Sequence, residues 1–176
     1  MYSPVTCQSR GVDVSIRFAE PEHDDAVGEF LRRHNHARVT RLGQLLMPLK
    51  HPAVLAERDE NIVGVLTLRF DDAESEVLTL HVDDRRGGIG TALLEEATRL
   101  ARDRGSRRLF LVTTNDNVDA LRFYQRRGFR LCALHVGAVD ESRETLKPEI
   151  PAIGEYGIPL RDELVLELGL TPFNAG

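Results

Sequence analysis

Cysteine, lysine and long apolar runs are scarce in this chain of 176 residues. The two cysteines, Cys7 and Cys132, give no paired metal-ligand spacing and no disulfide framework, which argues against zinc and redox chemistry. No stretch approaches the ~20 apolar residues that cross a bilayer, and the residues from Met1 to Gly11 lack a signal-peptide core. We therefore expect a cytoplasmic protein with no membrane partner and no metal.

An overall positive charge is also missing, because the formal net charge is −5. This balance excludes a nucleic-acid binder that depends on bulk charge. The arginines are nevertheless concentrated in one part of the chain. Between Arg85 and Arg130 there are eleven arginines and five acidic residues, a net +6, so the remainder carries −11. Such a basic block predicts that one half of the protein faces an anionic ligand.

The apolar pattern predicts one mixed α/β domain over residues 1–176, with hairpins first and parallel crossovers later. Alternation predicts strands over 12–18, 53–57, 62–70, 76–82, 109–112, 129–139 and 163–168, the last an edge-strand candidate that could pair across a homodimer. Helices are predicted over 24–49, from Gly88 to a stop at Gly105, and over 117–127. The proline-containing segment 140–161 fits no regular structure.

A cluster of glycines joins the strand over 76–82 to the next helix, in the segment from His81 to Thr91. Free N–H groups at a helix N-terminus bind anions, and missing Cβ atoms let a pyrophosphate approach the main chain. A kinase-type phosphate loop is excluded because no Lys-Ser/Thr pair follows Gly90. The dinucleotide pattern is met only in part, since Leu93 stands at its third small position, although Asp116 could bind a ribose.

Two spaced signatures fit without exception: Arg85-x-x-Gly88-x-Gly90, and Asn117-x-x-Ala120-x-x-x-Tyr124 followed by Gly128-Phe129. They resemble the two motifs of the GNAT superfamily of acyl-CoA-dependent N-acyltransferases. The resemblance implies a single-domain α/β GNAT fold with a mixed, mostly antiparallel sheet, a splayed parallel central strand pair and flanking helices. The core would span about 12–168, with 140–161 as a variable segment.

The resemblance also implies acetyl-CoA as the co-substrate. Main-chain groups of the first motif would hold its pyrophosphate, the preceding strand would pair with the pantetheine arm, and the second motif would contact the arm and the thioester. The implied binding residues are Leu80, His81, Val82, Arg85, Arg86, Gly87, Gly88, Ile89, Gly90, Thr91, Asn117 and Tyr124.

Acyl transfer needs a proton for the leaving thiolate and a neutral amine as nucleophile. Tyr124, at the family's tyrosine position, is the candidate general acid. Glu76 is the first candidate for the base, with Glu74 and His81 as alternatives. Strand alternation places Glu76 and His81 on opposite faces. We interpret the motif His34-Asn35-His36 as surface residues and not as a pair of metal ligands, because residues two apart on a helix do not share a face.

The sequence thus predicts an N-acetyltransferase that moves an acetyl group from acetyl-CoA to a primary amine. The acceptor site would come from 24–49 and 140–161, and the acidic residues outside the basic block hint at a cationic amine. Two alternatives stay open: a GNAT-fold module that binds acyl-CoA without turnover, and a small dinucleotide-binding oxidoreductase.

Overall fold

The computed structural model describes residues 5–9, 12–85 and 87–170, which form ten strands and four α-helices. The strands are β1 (Val5–Ser9), β2 (Val12–Phe18), β3 (Val39–Arg41), β4 (Gln44–Leu46), β5 (Ala53–Arg58), β6 (Asn61–Phe70), β7 (Glu74–Val82), β8 (Arg108–Thr114), β9 (Arg130–His135) and β10 (Glu163–Gly169). The helices are α1 (Asp24–Arg33), α2 (Ile89–Asp103), α3 (Val118–Gln125) and α4 (Ala138–Thr145). None of the described helices is long and apolar enough to span a membrane.

Eight strands form one sheet in the order β1-β2-β5-β6-β7-β8-β10-β9, and β3 pairs with β4 in a separate hairpin. Neighbouring strands of the large sheet are antiparallel except β7 and β8, which are parallel. The expected fold class is confirmed. A dinucleotide-binding oxidoreductase needs a mostly parallel, doubly wound sheet, so that alternative is wrong.

A helix packs against each face of the large sheet. The strands point apolar side chains alternately toward one face and the other, so both faces are apolar and need to be covered. On one face α2 contributes Ile89, Leu93 and Ala97 to the largest core cluster, in which Leu66 is also buried. On the other face α1 packs against a second cluster that includes Val65. Adjacent residues of β6 therefore face opposite helices, as the strand period of two requires.

The prediction of one helix over 24–49 is wrong for the residues after Arg33, where α1 ends. Asn35 adopts a positive φ of 60°, and the N–H of His36 donates to the carbonyl oxygen of Leu31 at 2.7 Å, which closes α1. The chain then forms the β3–β4 hairpin, whose two turn residues, Leu42 and Gly43, both have positive φ. This matches the two-residue turn that fits the twist of paired strands.

Two further expectations fail near the C-terminal end of the sheet. The strand predicted over 129–139 ends at His135, and α4 occupies the start of the segment 140–161. Arg143 of α4 donates to the carbonyl oxygens of Ile150, Pro151 and Leu160, which orders the rest of that segment. The strand predicted over 163–168 is not at an edge, because β10 lies between β8 and β9.

Candidate active site

The parallel strands β7 and β8 are joined over only part of their length. Their ladder pairs residues 74–77 with 108–111 and then stops. β7 continues along β6 as far as Val82, whereas β8 follows β10. The diverging strands leave main-chain groups without a strand partner, which suits an extended ligand. We call the point where the ladder ends, between Leu78 and Val112, the vertex.

The N-terminus of α2 follows β7 closely and is preceded by the predicted glycine cluster. Gly88 is the N-cap residue with φ of 79°, and a Cβ atom there would have no neighbour within 4 Å. Gly90 lies in the first turn, where a Cβ atom would make ordinary contact with the ring of Phe123 at 3.5 Å. The first N–H groups of a helix have no partners within the helix. The loop is therefore open to an anion.

Arginine side chains surround this end of α2. Arg127 of the turn after α3 donates from Nε to the hydroxyl of Thr91 at 3.1 Å and lies 3.6 Å above the Phe123 ring centroid. Arg85 forms an ion pair with Asp119 at 3.5 Å, and most of its side chain is exposed. The predicted binding residue Arg86 lies outside the described residues. The basic block thus places positive charge beside the glycine loop.

Arg41, from the end of β3, fills the vertex. Its guanidinium donates to the carbonyl oxygens of Leu78 and Val112, the first residue on each strand beyond the paired stretch. Only 15% of the side chain is exposed, and its Nε lies 3.8 Å from a carboxylate oxygen of Glu76. A buried guanidinium that joins two diverging strands was not among the predicted site residues.

Tyr124 of α3 is 7% exposed and packs edge-to-face against Phe129 with ring centroids 5.4 Å apart. Burial raises the pKa of the Tyr124 phenol, while the positive charges of Arg41 and Arg127 act in the opposite direction. A phenol with a raised pKa keeps its proton at neutral pH and can donate it. Tyr124 is thus a protonated, buried phenol whose pKa is influenced by the charge of Arg41 at the vertex.

Glu76 and His81 lie on the same face of the sheet, contrary to the expectation from simple alternation. The pairing of β6 with β7 shifts by one residue, because Thr67 is opposite Thr79 whereas Leu68 is opposite Val77. The extra residue, Leu78, is a β-bulge, which reverses the alternation beyond it. Glu76, Thr79 and His81 consequently share the face that α1 covers.

The carboxylate of Glu76 is 2% exposed and pairs with Arg69 at 2.8 Å. Burial raises the pKa of Glu76, and the nearby charges of Arg41 and Arg69 oppose that shift. The alternative base Glu74 instead forms an ion pair with Arg108 at 2.9 Å, at the start of the ladder. Of the two carboxylates, Glu76 is the one beside the vertex.

His81 belongs to a group of three histidines between α1 and β7. Its ring centroid is 3.7 Å from that of His34 and 5.3 Å from that of His36. Burial is the largest cause that lowers the pKa of His81 to about 4, and the charge of His34 is the second. Burial, followed by the charge of His81, also lowers the pKa of His36 to about 4. Among the described residues, no group of three or more suitable side chains is arranged to hold a metal.

Two other predicted residues have structural partners. Asn117 caps α3, because its side-chain oxygen accepts from the N–H of Ala120 at 3.1 Å. Asp116, the candidate ribose ligand, is 6% exposed and accepts from the N–H of Glu155 at 2.9 Å. Since that carboxylate lies against the segment after α4, it does not face the glycine loop as a ribose ligand would.

Sequence reasoning missed Arg41 because it lay inside the helix predicted over 24–49. The available signal was Gly43, which marks a turn between the short alternating stretches 39–41 and 44–46. That signal places Arg41 at a hairpin end. Only the packing of the hairpin against the large sheet brings its side chain to the vertex.

Comparison with known proteins identifies the family. The profile of the Acetyltransferase (GNAT) family matches residues 18–129. The chain is 47% identical over 108 residues to the uncharacterized protein YxbD of Bacillus subtilis (strain 168), a stretch that covers 61% of this chain and 67% of that one. It is 38% identical over 71 residues to streptothricin acetyltransferase of Streptomyces lavendulae, which is 38% of each chain.

Solved structures support the same fold. A GNAT family acetyltransferase from Elizabethkingia anophelis with acetyl-CoA bound superposes with a TM-score of 0.63 at 21% identity, over 89% of this chain and 98% of that one. The family profile covers well over half of the chain and includes both signatures. The protein therefore belongs to the GNAT acetyltransferase family.

Proposed function

We propose that the protein transfers an acetyl group from acetyl-CoA to a primary amine by direct attack of the amine on the thioester. The observation that carries this proposal is the path from the N-terminus of α2 to the vertex along the part of β7 that has no partner on the β8 side. An anionic, extended molecule with a reactive end fits that path. The acetyl-CoA bound to the Elizabethkingia anophelis relative is consistent with it.

Coenzyme A would bind with its diphosphate at the start of α2. The N–H groups of Gly87, Gly88, Ile89 and Gly90, with Arg85 and Arg86, are the proposed diphosphate ligands. Thr91 would contact the diphosphate through its side chain, because its N–H donates to the carbonyl oxygen of Gly88 at 3.0 Å. Leu80, His81 and Val82 of β7, together with Asn117, would then contact the pantetheine arm. Helix N-termini and arginine side chains both favour phosphate oxygens.

The reaction forms a C–N bond and breaks the C–S bond of the thioester. The neutral amine attacks the carbonyl carbon, and an N–H group of β7 on the side that β8 leaves open stabilises the oxyanion. Tyr124 donates its proton to the departing thiolate. Glu76 accepts the proton that the amine loses, and its raised pKa makes it a stronger base than an exposed carboxylate.

The test is release of free thiol from acetyl-CoA across a panel of amines: a polyamine, an aminoglycoside and a lysine-containing peptide. Thiol release that requires one of these amines is the expected result. Tyr124→Phe should lower kcat by about 10²–10⁴-fold and leave the affinity for acetyl-CoA nearly unchanged, because the ring packing is retained.

Two outcomes contradict the proposal. If acetyl-CoA binds in calorimetry and no amine in the panel releases thiol, the protein is better described as an acyl-CoA-binding module. If Tyr124→Phe turns over at the wild-type rate, Tyr124 is not the acid.

A further inference from the structure

The closed end of the split between β7 and β8 is occupied by a charged side chain. The guanidinium of Arg41 joins the carbonyl oxygens of Leu78 and Val112, so it spans the space directly beyond the last paired residues. The adjoining face of the sheet is also filled, because the hydroxyl groups of Thr67 and Thr79 hydrogen-bond to each other at 2.8 Å and are buried. An apolar chain would find little room in this direction.

The hairpin that carries Arg41 is fixed at its turn. The N–H of Leu42 donates to a carboxylate oxygen of Glu163 at 2.7 Å, and Glu163 is 2% exposed. A carboxylate oxygen of Glu76 lies 3.8 Å from the Nε of Arg41, and Glu76 is equally buried. Moving the guanidinium out of the vertex would leave two buried carboxylates with less compensation, which is unfavourable. The guanidinium of Arg41 is therefore held in a fixed position at the closed end of the split between β7 and β8.

Given the proposed function, we infer that Arg41 limits the acyl group to acetyl by closing the vertex against longer chains. A pantetheine arm that starts at α2 and follows β7 ends at the vertex, with the acyl group directed toward the guanidinium. Each added methylene must displace a charged group that the fold holds in place. Acetyl-CoA is then the preferred thioester, propionyl-CoA is used less well, and butyryl-CoA is used least.

The experiment compares kcat/KM for acetyl-, propionyl- and butyryl-CoA with the amine that gives the highest rate in the panel. The wild type should favour acetyl-CoA over butyryl-CoA by about tenfold or more in kcat/KM. This is the discrimination that one poorly fitted methylene group produces. Arg41→Ala opens the vertex and should reduce that ratio by about tenfold. Arg41→Met retains much of the volume but loses the hydrogen bonds and the charge that hold the group in place, so it should reduce the preference for acetyl less than Arg41→Ala does.

Arg38→Ala is the matched control, because Arg38 precedes the same hairpin and pairs with Glu149 on the surface at 2.5 Å. Its acyl preference should equal that of the wild type. Arg41→Thr, which suits a strand, serves as the opening variant if Arg41→Ala does not fold.

Dissociation constants of acetyl-CoA and butyryl-CoA, measured by calorimetry, give the same comparison without turnover. Wild-type protein that binds or uses butyryl-CoA as well as acetyl-CoA overturns the inference, as does an unchanged ratio in both opening variants. Failure of every amine to release thiol would contradict the proposed function alone, because the binding ratio still tests Arg41.

Discussion

Four ionisable side chains meet near the vertex: Arg41, Glu76, Glu163 and Tyr124. The charge of Arg41 acts on the pKa of the other three. Burial raises the pKa of Glu76, of Glu163 and of Tyr124, and the positive charge of Arg41 opposes all three shifts. Arg69 adds a second positive charge on Glu76 at 2.8 Å. The local charge is thus balanced between two cations and two carboxylates, while the phenol remains protonated.

Glu76→Gln should lower kcat by about 10²–10⁴-fold if Glu76 removes the amine proton, because the amide cannot accept it. The rise of kcat/KM with pH that comes from deprotonation of Glu76 should also be lost, whereas the rise that comes from deprotonation of the amine itself should remain. Burial raises the pKa of Glu76 above the ordinary carboxyl value. Steady-state kinetics across the pH range give both readings.

Glu74→Gln is the control, since that carboxylate lies on the same strand and pairs with Arg108 away from the vertex. It should keep both the rate and the pH profile. His81→Gln tests the remaining candidate. Wild-type kcat and an unaltered pH profile in Glu76→Gln would assign the base elsewhere.

The helix α2 links the site to the core. Its apolar stripe is buried in the largest cluster, so the orientation of its N-terminus is set by packing along the whole helix. A glycine with φ of 79° stands at each end: Gly88 as the N-cap and Gly105 after the C-terminus. Neither has a neighbour within 4 Å of its Cβ position, so the two sites differ only in which end of the helix they occupy.

Gly88→Ala should weaken CoA binding by about tenfold, the equivalent of one hydrogen bond to a charged group. A residue with a Cβ atom disfavours the positive φ, which shifts the N–H groups that would hold the diphosphate. Gly105→Ala introduces the same backbone strain at the far end and should leave CoA affinity unchanged. Calorimetric titration with CoA measures the affinities, and thermal unfolding shows whether both variants lose similar stability. Equal affinities in the two variants would contradict a diphosphate site at α2.

Over the molecule as a whole, charge is divided between the basic block at α2 and α3 and the more acidic remainder. Besides each other, His36 and His81 of the three-histidine group face charges from α1, β3 and neighbouring loops. These charged groups are Arg33, His34, Arg41, Asp83, Arg85 and Lys147. Protonation of His36 or His81 in the folded state adds charge to a crowded, partly buried site.

The free energy of unfolding should fall as the pH is lowered from about 6.5 to 4 because of His36 and His81. Their folded-state pKa values are about 4 and their ordinary value is 6.5, so in this window the unfolded chain binds more protons. The slope is at most about 1.4 kcal/mol per pH unit for each such proton. The half-buried His81 contributes less, because water screens its charge.

Denaturant unfolding of the wild type and of the double variant His36→Gln/His81→Gln, between pH 4.5 and 7.5, measures this contribution. The double variant should show a smaller loss of stability at low pH. His135→Gln, on the exposed edge strand β9, should behave as the wild type. A double variant with the wild-type slope would show that these two histidines do not carry the effect.

Local sequence patterns determined much of the fold. The helix from Gly88 to Gly105, the strands over 53–57 and 62–70 and both family signatures are each contained in a short stretch of chain, and the predictions for them are confirmed. The order of the strands in the sheet was harder to predict from the sequence. The sequence pattern predicts an edge strand over 163–168, yet this strand pairs on both sides, because strand neighbours depend on contacts between distant parts of the chain.

The sequence by itself determined that this chain belongs to the GNAT acetyltransferase family and has a glycine-rich loop before a helix, because those features depend on backbone freedom and on spacing along one element. Only the tertiary structure decided which side chains surround the vertex. The bulge at Leu78 turned Glu76 and His81 to the same face, and the docking of a short hairpin brought Arg41 between two strands. Both results come from pairing and packing between segments far apart in the chain, for which a linear pattern carries no signal.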